Sequence, residues 1–168
     1  MNKSPIIILR NILEVVMGLT ANQIYIYNQD FKIPQTSGLF IVLQNISSKP
    51  YASNLVSIPV DGGMQETTTM LTKEIYAINL FSKTTEARDR KEEAMMALNS
   101  GYALEQKELY QFRFATLMDE VLNISEIEGA GMLNRFVFNV QVNAWYSVTR
   151  SITYYDQFSD SILVDNLN

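Results

Sequence analysis

The stretch LNRFVFNVQVNAWYSV at residues 133–148 decides how the rest of the chain is read. Successive side chains of an extended strand point to opposite faces, so Phe136, Phe138, Val140, Val142, Ala144 and Tyr146 share one face, and Arg135, Asn139, Gln141 and Asn143 share the other. The alternation predicts a half-buried strand. Its length outruns the core of a small domain, so one end is expected to project as part of a hairpin or to pair with another subunit. Trp145, the only tryptophan, falls on the polar face together with Val137. Either a helix covers that face at this depth, which is the preferred reading, or Trp145 anchors an interface. Tyr154, Tyr155 and Phe158 pose the same choice.

Working outward, 168 residues fit one domain, and 47% hydrophobic with 18% charged residues is enough to fill a core without disulfides or metal. The formal net charge of -5 argues against a general nucleic-acid binder, since phosphate affinity comes from clustered Lys and Arg, which are scattered along this sequence. Cys and His are absent, which excludes disulfide frameworks, the usual zinc ligand sets and thiol or imidazole catalysis. No repeat or linker divides the chain. One domain is expected over residues 1–158, with an acidic tail at 159–168.

Near the N-terminus, IIILRNILEVVM (6–17) is interrupted by Arg10, Asn11 and Glu14 and is shorter than the ~20 residues a membrane span needs. It reads as a core helix, capped by the Ser4 hydroxyl, started by Pro5 and closed by Gly18. Its apolar girth suggests contacts on two sides. Strands are expected at 24–27 and 39–46. The next stretch is polar, turns at Asp61-Gly62-Gly63 and continues as MQETTTMLTKEIYAINLF (64–81). Four threonines favour extended backbone without giving a core face, so an exposed β-hairpin arm is expected at about 53–73, its threonine-rich edge unpaired until a neighbouring copy covers it. A helix should follow from Thr84 or Thr85 to about Asn99, burying Ala87, Ala94, Met95 and Leu98. Residues 102–110 can add a helical turn or two, and 112–118 and 121–124 can add strands. The pattern predicts an α+β fold: a mostly antiparallel sheet with a long hairpin arm, flanked by an N-terminal helix and a central helix.

With the elements in order, the chain resembles the bacteriophage neck or tail terminator proteins. The likeness rests on GLFIVLQNIS (38–47), QET (65–67) leading into EIYAINLFS (74–82), the helix from Thr85, and MLNRFVFNVQVNAWYSVTRSITYYD (132–156). An arginine ahead of an alternating strand and a short aromatic-acidic segment close the family pattern, and here Arg135, residues 136–145 and residues 154–156 occupy those places. The second apolar-acidic piece at 102–110 and the tail after Phe158 depart from it. The resemblance implies a structural virion subunit, assembled in the host cytoplasm. It would form a homo-oligomer, a hexameric ring, capping the tail tube and meeting the head-tail connector or adaptor protein. DNA would pass through the lumen without specific binding, and no catalytic site, cofactor, metal or membrane contact is implied.

Subunit-interface candidates are Val60, Met64, Thr67 and Thr69 on the arm, Arg135, Asn139 and Trp145 on the last strand, and Tyr154 and Tyr155 beyond it. Acidic residues gathered around a channel would repel passing DNA. Another head-tail joining, head-completion or minor tail protein is the alternative. A small carboxylate-dependent hydrolase using Glu126 and Glu128, or Asp119 and Glu120, is a remote one. The two glycines at 129 and 131 lack the third glycine and the helix that a phosphate-binding loop requires.

Overall fold

A computed structural model describes residues 4–27, 37–60, 63–117, 120–128 and 131–152. In chain order these form helix α1 (Pro5–Met17), a 3-10 turn (Ala21–Gln23), and strands β1 (Ile24–Ile26), β2 (Phe40–Val60) and β3 (Gly63–Ser82). Helices α2 (Glu86–Asp89), α3 (Lys91–Ala97) and α4 (Gly101–Tyr110) follow, then strands β4 (Arg113–Leu117), β5 (Leu122–Asn123), β6 (Glu126–Glu128) and β7 (Gly131–Ile152). The fold is α+β. Its sheet is mixed and mostly antiparallel, ordered β1-β2-β3-β7-β4, with β5 and β6 also pairing with β7. The pair β1–β2 is parallel.

Helix α1 starts at Pro5, whose missing N–H costs nothing at a first turn, and ends at Gly18 in the left-handed conformation at φ 63°. The expected Ser4 hydroxyl cap is not formed: the Ser4 carbonyl instead accepts from the N–H groups of Ile7 and Ile8. Ile8, Leu9, Ile12, Leu13 and Met17 are buried against the sheet, whereas Val15 is exposed. The central helix expected over 85–99 is broken at Arg90, and residues 101–110 form a full helix in place of a turn or two. The break has a physical use. The Arg90 guanidinium donates to the Met17 carbonyl at 2.7 Å and pairs with Glu93 at 2.6 Å, placing a cation on the negative end of α1. Ser82 Oγ accepts from the Ala87 N–H at 3.0 Å and so starts α2. Ala87, Ala94 and Leu98 are buried as expected, Met95 is half-buried, and Met96 is exposed.

The described helices all contribute to one core with the same face of the sheet. Leu9, Leu13, Ala94 and Ala103 from the helices join Leu43, Ile78, Leu80, Phe138 and Val140 from the strands in that core. The predicted apolar set of the last strand, Phe136, Phe138, Val140, Val142 and Ala144, is buried. Tyr146 is half-buried.

Past this core β2, β3 and β7 run on together. The β2–β3 ladder reaches from Phe40↔Phe81 to Val60↔Gly63, and the β3–β7 ladder reaches from Ser82↔Asn134 to Met64↔Ile152. From Ser47 to Val60 the projection is roughly 45 Å long at the usual rise per strand residue. The arm is therefore three-stranded and begins nearer the body than the expected 53–73. The threonine-rich strand β3 is its centre, paired on both sides, and not its edge. The last strand overrules that expectation because it stays extended to Ile152 and takes up the ladder β3 offers.

Truncation should show where stability resides. Phe138→Ala, deep in the core, is expected to cost about 3–5 kcal/mol in urea unfolding, whereas Val148→Ala on the arm should change it by less than about 0.5 kcal/mol. The reverse ranking would mean that the arm, not the helix-covered sheet, is the stable unit.

Candidate functional site: the arm and its edges

Register assigns every arm residue to a face. The face continuous with the core carries Ser48, Glu74 and Val142, then Pro50, Thr72 and Ala144, then Ser53, Met70 and Tyr146, then Leu55, Thr68 and Val148. The opposite face carries Lys49, Lys73 and Asn143, then Ala52, Leu71 and Trp145, then Asn54, Thr69 and Ser147, then Val56, Thr67 and Thr149. Bulges between Asn45 and Ser47 and between Pro50 and Ala52 keep β2 in step.

Where the arm leaves the core, Glu74 is 3% exposed and occupies a position that the period-two pattern reserves for the interior. Three hydroxyls satisfy its carboxylate: Tyr76 donates to Oε2, Tyr146 donates to Oε1 at 2.6 Å, and Thr72 donates to Oε1 at 3.1 Å. Thr72 and Tyr76 lie on β3 and Tyr146 lies on β7, so this group stitches the two strands together at the arm's root. Burial pushes the Tyr76 and Tyr146 phenols well above their ordinary range, and the hydrogen bond and negative charge of Glu74 add to the rise. Farther out, the hydroxyls of Thr67 and Thr149 meet across the strands at 3.0 Å. A Cβ on Gly63 would approach the Ile152 carbonyl oxygen to 2.8 Å, so glycine is what lets β7 close against the tip.

Among the described residues both outer edges of the arm are open. On β2, β1 covers residues 41–43, and no described strand pairs with the outer side beyond them. On β7, β4 reaches only to Asn143. Along the arm, Leu55, Val56, Ile58 and Val60 of β2 and Trp145 and Val148 of β7 are exposed, Val148 at 66%. Pro50 and Pro59 remove two donors from the β2 edge and leave 51–58 as its uninterrupted length. Open edges with apolar side chains are unusual in a protein that works alone.

The interface candidates divide accordingly. Val60 is exposed, and Met64, Thr67 and Thr69 are half-buried on the central strand, where their backbones are already paired. Trp145 is 48% exposed, so the preferred reading that a helix covers it is wrong; the described helices pack on the other face, and only the rim of α4 reaches it, where Leu104, Lys107 and Glu108, with Phe112 and Arg113 beyond the helix, border a cleft of about 530 Å³. Arg135 is half-buried on the helix-free face and lies across β3. Its guanidinium lies 5.2 Å from the Phe81 ring centre and donates to Asn79 Oδ1 at 3.0 Å, inside a cleft of about 350 Å³. Asn139 is half-buried beside Ala77. Tyr154 and Tyr155 lie outside the described residues, as do Asp119 and residues 159–168. Glu120 is exposed, and Glu126 and Glu128 sit on the short ladder β6 makes with β7. Among the described residues no group of three or more acidic side chains could hold a metal ion. Among them, too, no helix is long and apolar enough to cross a membrane.

Glu74 is the residue that reading the sequence alone passes over. Its signal is there: it shares parity with Tyr76, Ile78 and Leu80, which places a charge in the core.

The raised phenols fix a pH dependence. A folded pKa above the ordinary 10.0 gives stability that is complete below that value and is lost as pH rises past it, because the unfolded phenols release protons the folded ones retain. Unfolding midpoints should fall above pH 10.0, and less steeply for Tyr76→Phe. In the folded protein the phenolate absorbance step near that pH should have the same height in both. A smaller step in the variant would show that Tyr76 ionises normally.

Compared with known proteins, the chain matches no protein-family model and no curated protein.

Proposed function

We propose that the chain is a structural subunit of a closed homo-oligomeric ring, a bacteriophage tail terminator or neck protein, in which arms of neighbouring copies pair edge to edge. The observation that carries this reading is the three-stranded arm with both edges open among the described residues. Strands β2 and β7 are each antiparallel to β3, so they run in the same direction. In a ring whose arms all point one way, β2 of one copy meets β7 of the next, and that ladder is parallel. Axial levels agree: Ala52 is level with Trp145 and Ile58 with Ser151, so the proline-free 51–58 faces the open part of β7. A repeated heterologous contact of this kind closes when the rotation does, and closure removes every edge.

The family likeness supplies the setting: six copies in the virion, tail tube protein on one side, connector or adaptor on the other, DNA passing through. The mechanism is geometric. The barrel of arms offers one end to the last tube ring, and the helix-covered bodies end further addition. No catalytic step or cofactor enters this reading.

Because the chain has no cysteine, cross-linking is clean. Asn54→Cys with Ser147→Cys should give, on oxidation, a covalent ladder ending at the mass of the ring, while either single variant stays monomeric on a denaturing gel. Dimers from Asn54→Cys alone would mean two-fold β2–β2 pairing and would overturn the ring. Labelled protein added to isolated tubes should bind at one end, and binding along their length would remove the terminator role.

A further inference from the structure

The face of the sheet that carries no helix has an unbalanced charge. Over β2, β3, β4 and β7, the residues whose register places them on it include Lys49, Lys73, Arg113 and Arg135 and no Asp or Glu; the two acids of this parity on a neighbouring strand, Glu126 and Glu128 of β6, pair at the far end of β7 with Leu133 and Gly131. The chain as a whole carries a net charge of -5, so its acids are concentrated elsewhere. Three of these cations form one row. Lys49 lies directly opposite Lys73, Lys73 opposite Asn143, and Asn143 opposite Arg113, a span of roughly 14 Å across the strands. All three cationic side chains are exposed, and none forms a salt bridge among the described residues. The side-chain carbonyl oxygen of Asn143, between Lys73 and Arg113, is buried without a hydrogen-bond partner among the described residues, so neither neighbour uses it.

Like charges directly opposite each other destabilise a sheet, and the arm's other face avoids the arrangement by setting Glu66 opposite Arg150. A local rule broken on one face and kept on the other marks a surface shaped by something it meets. On the strands around the row the face is rich in amides and hydroxyls, with Gln141, Asn54 and Thr69; the exposed Trp145 ring stands one row away, and beside Arg113 the rim of α4 brings one cation and one acid, Lys107 and Glu108, to the cleft that Trp145 lines. Clustered cations with neutral hydrogen-bonding side chains and an exposed aromatic suit a phosphate backbone with accessible bases.

We propose that the Lys49–Lys73–Arg113 row on the helix-free sheet face is a docking site for the phosphate backbone of nucleic acid. Each copy carries the whole row, so the site does not depend on ring closure. It departs from the expectation that net acidity gives a wall repelling DNA. Here the wall holds phosphates weakly and exchanges them readily with salt.

The test is fluorescence anisotropy of labelled single-stranded and duplex DNA against the full chain, with oligomer mass measured on the same samples. Binding should weaken roughly tenfold or more between about 50 and 200 mM salt. Lys49→Glu with Lys73→Glu should abolish it, Lys49→Arg with Lys73→Arg should preserve it, and Lys83→Glu with Arg88→Glu should leave it unchanged, all at the wild-type oligomer mass and melting temperature. Quenching of Trp145 by the single strand alone would identify unpaired bases as the source of the phosphates; equal binding without quenching would identify the duplex. The proposal is overturned if DNA is not retained at low salt, if the Lys49→Glu, Lys73→Glu protein binds as well as wild type, or if labelled polyglutamate binds more tightly than DNA, which would make the occupant an acidic protein surface.

Discussion

Everything distinctive about this molecule depends on β3 being paired on both sides from Phe81 to Met64. A two-stranded projection of that length would be marginal in water, whereas a third strand gives every backbone group of the middle one a partner. The consequence is a stiff blade in place of a loose hairpin. Its requirements are local. Glycine at 63 admits the Ile152 carbonyl, threonines at 67 and 149 share a hydrogen bond, and two bulges hold β2 in step.

The same strands serve two environments. Over the body, one face is sealed by helices whose small residues Ala87, Ala94, Ala97 and Ala103 let them approach closely, and Arg90 ties the end of α1 to the α2–α3 break. Over the arm, that face continues without helices. Glu74 sits at the change, a buried carboxylate with three hydroxyl donors and no salt bridge among the described residues. Of its three donors Tyr146 alone comes from β7, so the carboxylate links the two strands at one register. A slip of one residue would turn Phe136, Phe138 and Val140 to the other face and bring Trp145 inward.

Much of the fold is legible in the sequence. Period-two alternation over 136–144 identifies the buried face, Pro5 and Gly18 bound α1, and the turn signal Asp61-Gly62-Gly63 foretells the hairpin in which Val60 pairs with Gly63. The misreadings come from partners that no local pattern names. Threonines at 67–69 read as an edge because nothing in their own stretch shows that residues 147–149 return alongside them. Trp145 reads as covered because an exposed tryptophan is uncommon, yet the described helices pack on the opposite face and only the rim of α4, through Leu104, Lys107 and Glu108, comes up to its cleft. Arg135 reads from strand parity as a residue of the polar face, and it is there, lying over Phe81 and bonded to Asn79 of β3, neighbours that no local pattern names. The cationic row is invisible in sequence because Lys49, Lys73 and Arg113 are distant along the chain and meet only through register.

If copies of the chain assemble through their arms, the two outer edges must be completed together, and hydrogen-deuterium exchange on the assembled protein and on dilute monomer tests that most directly. Amides in 51–58 and 145–152 that exchange quickly in the monomer should become protected together on assembly, while those of β3 stay protected throughout. Assembled particles in which both edges still exchange as fast as in the monomer would contradict it.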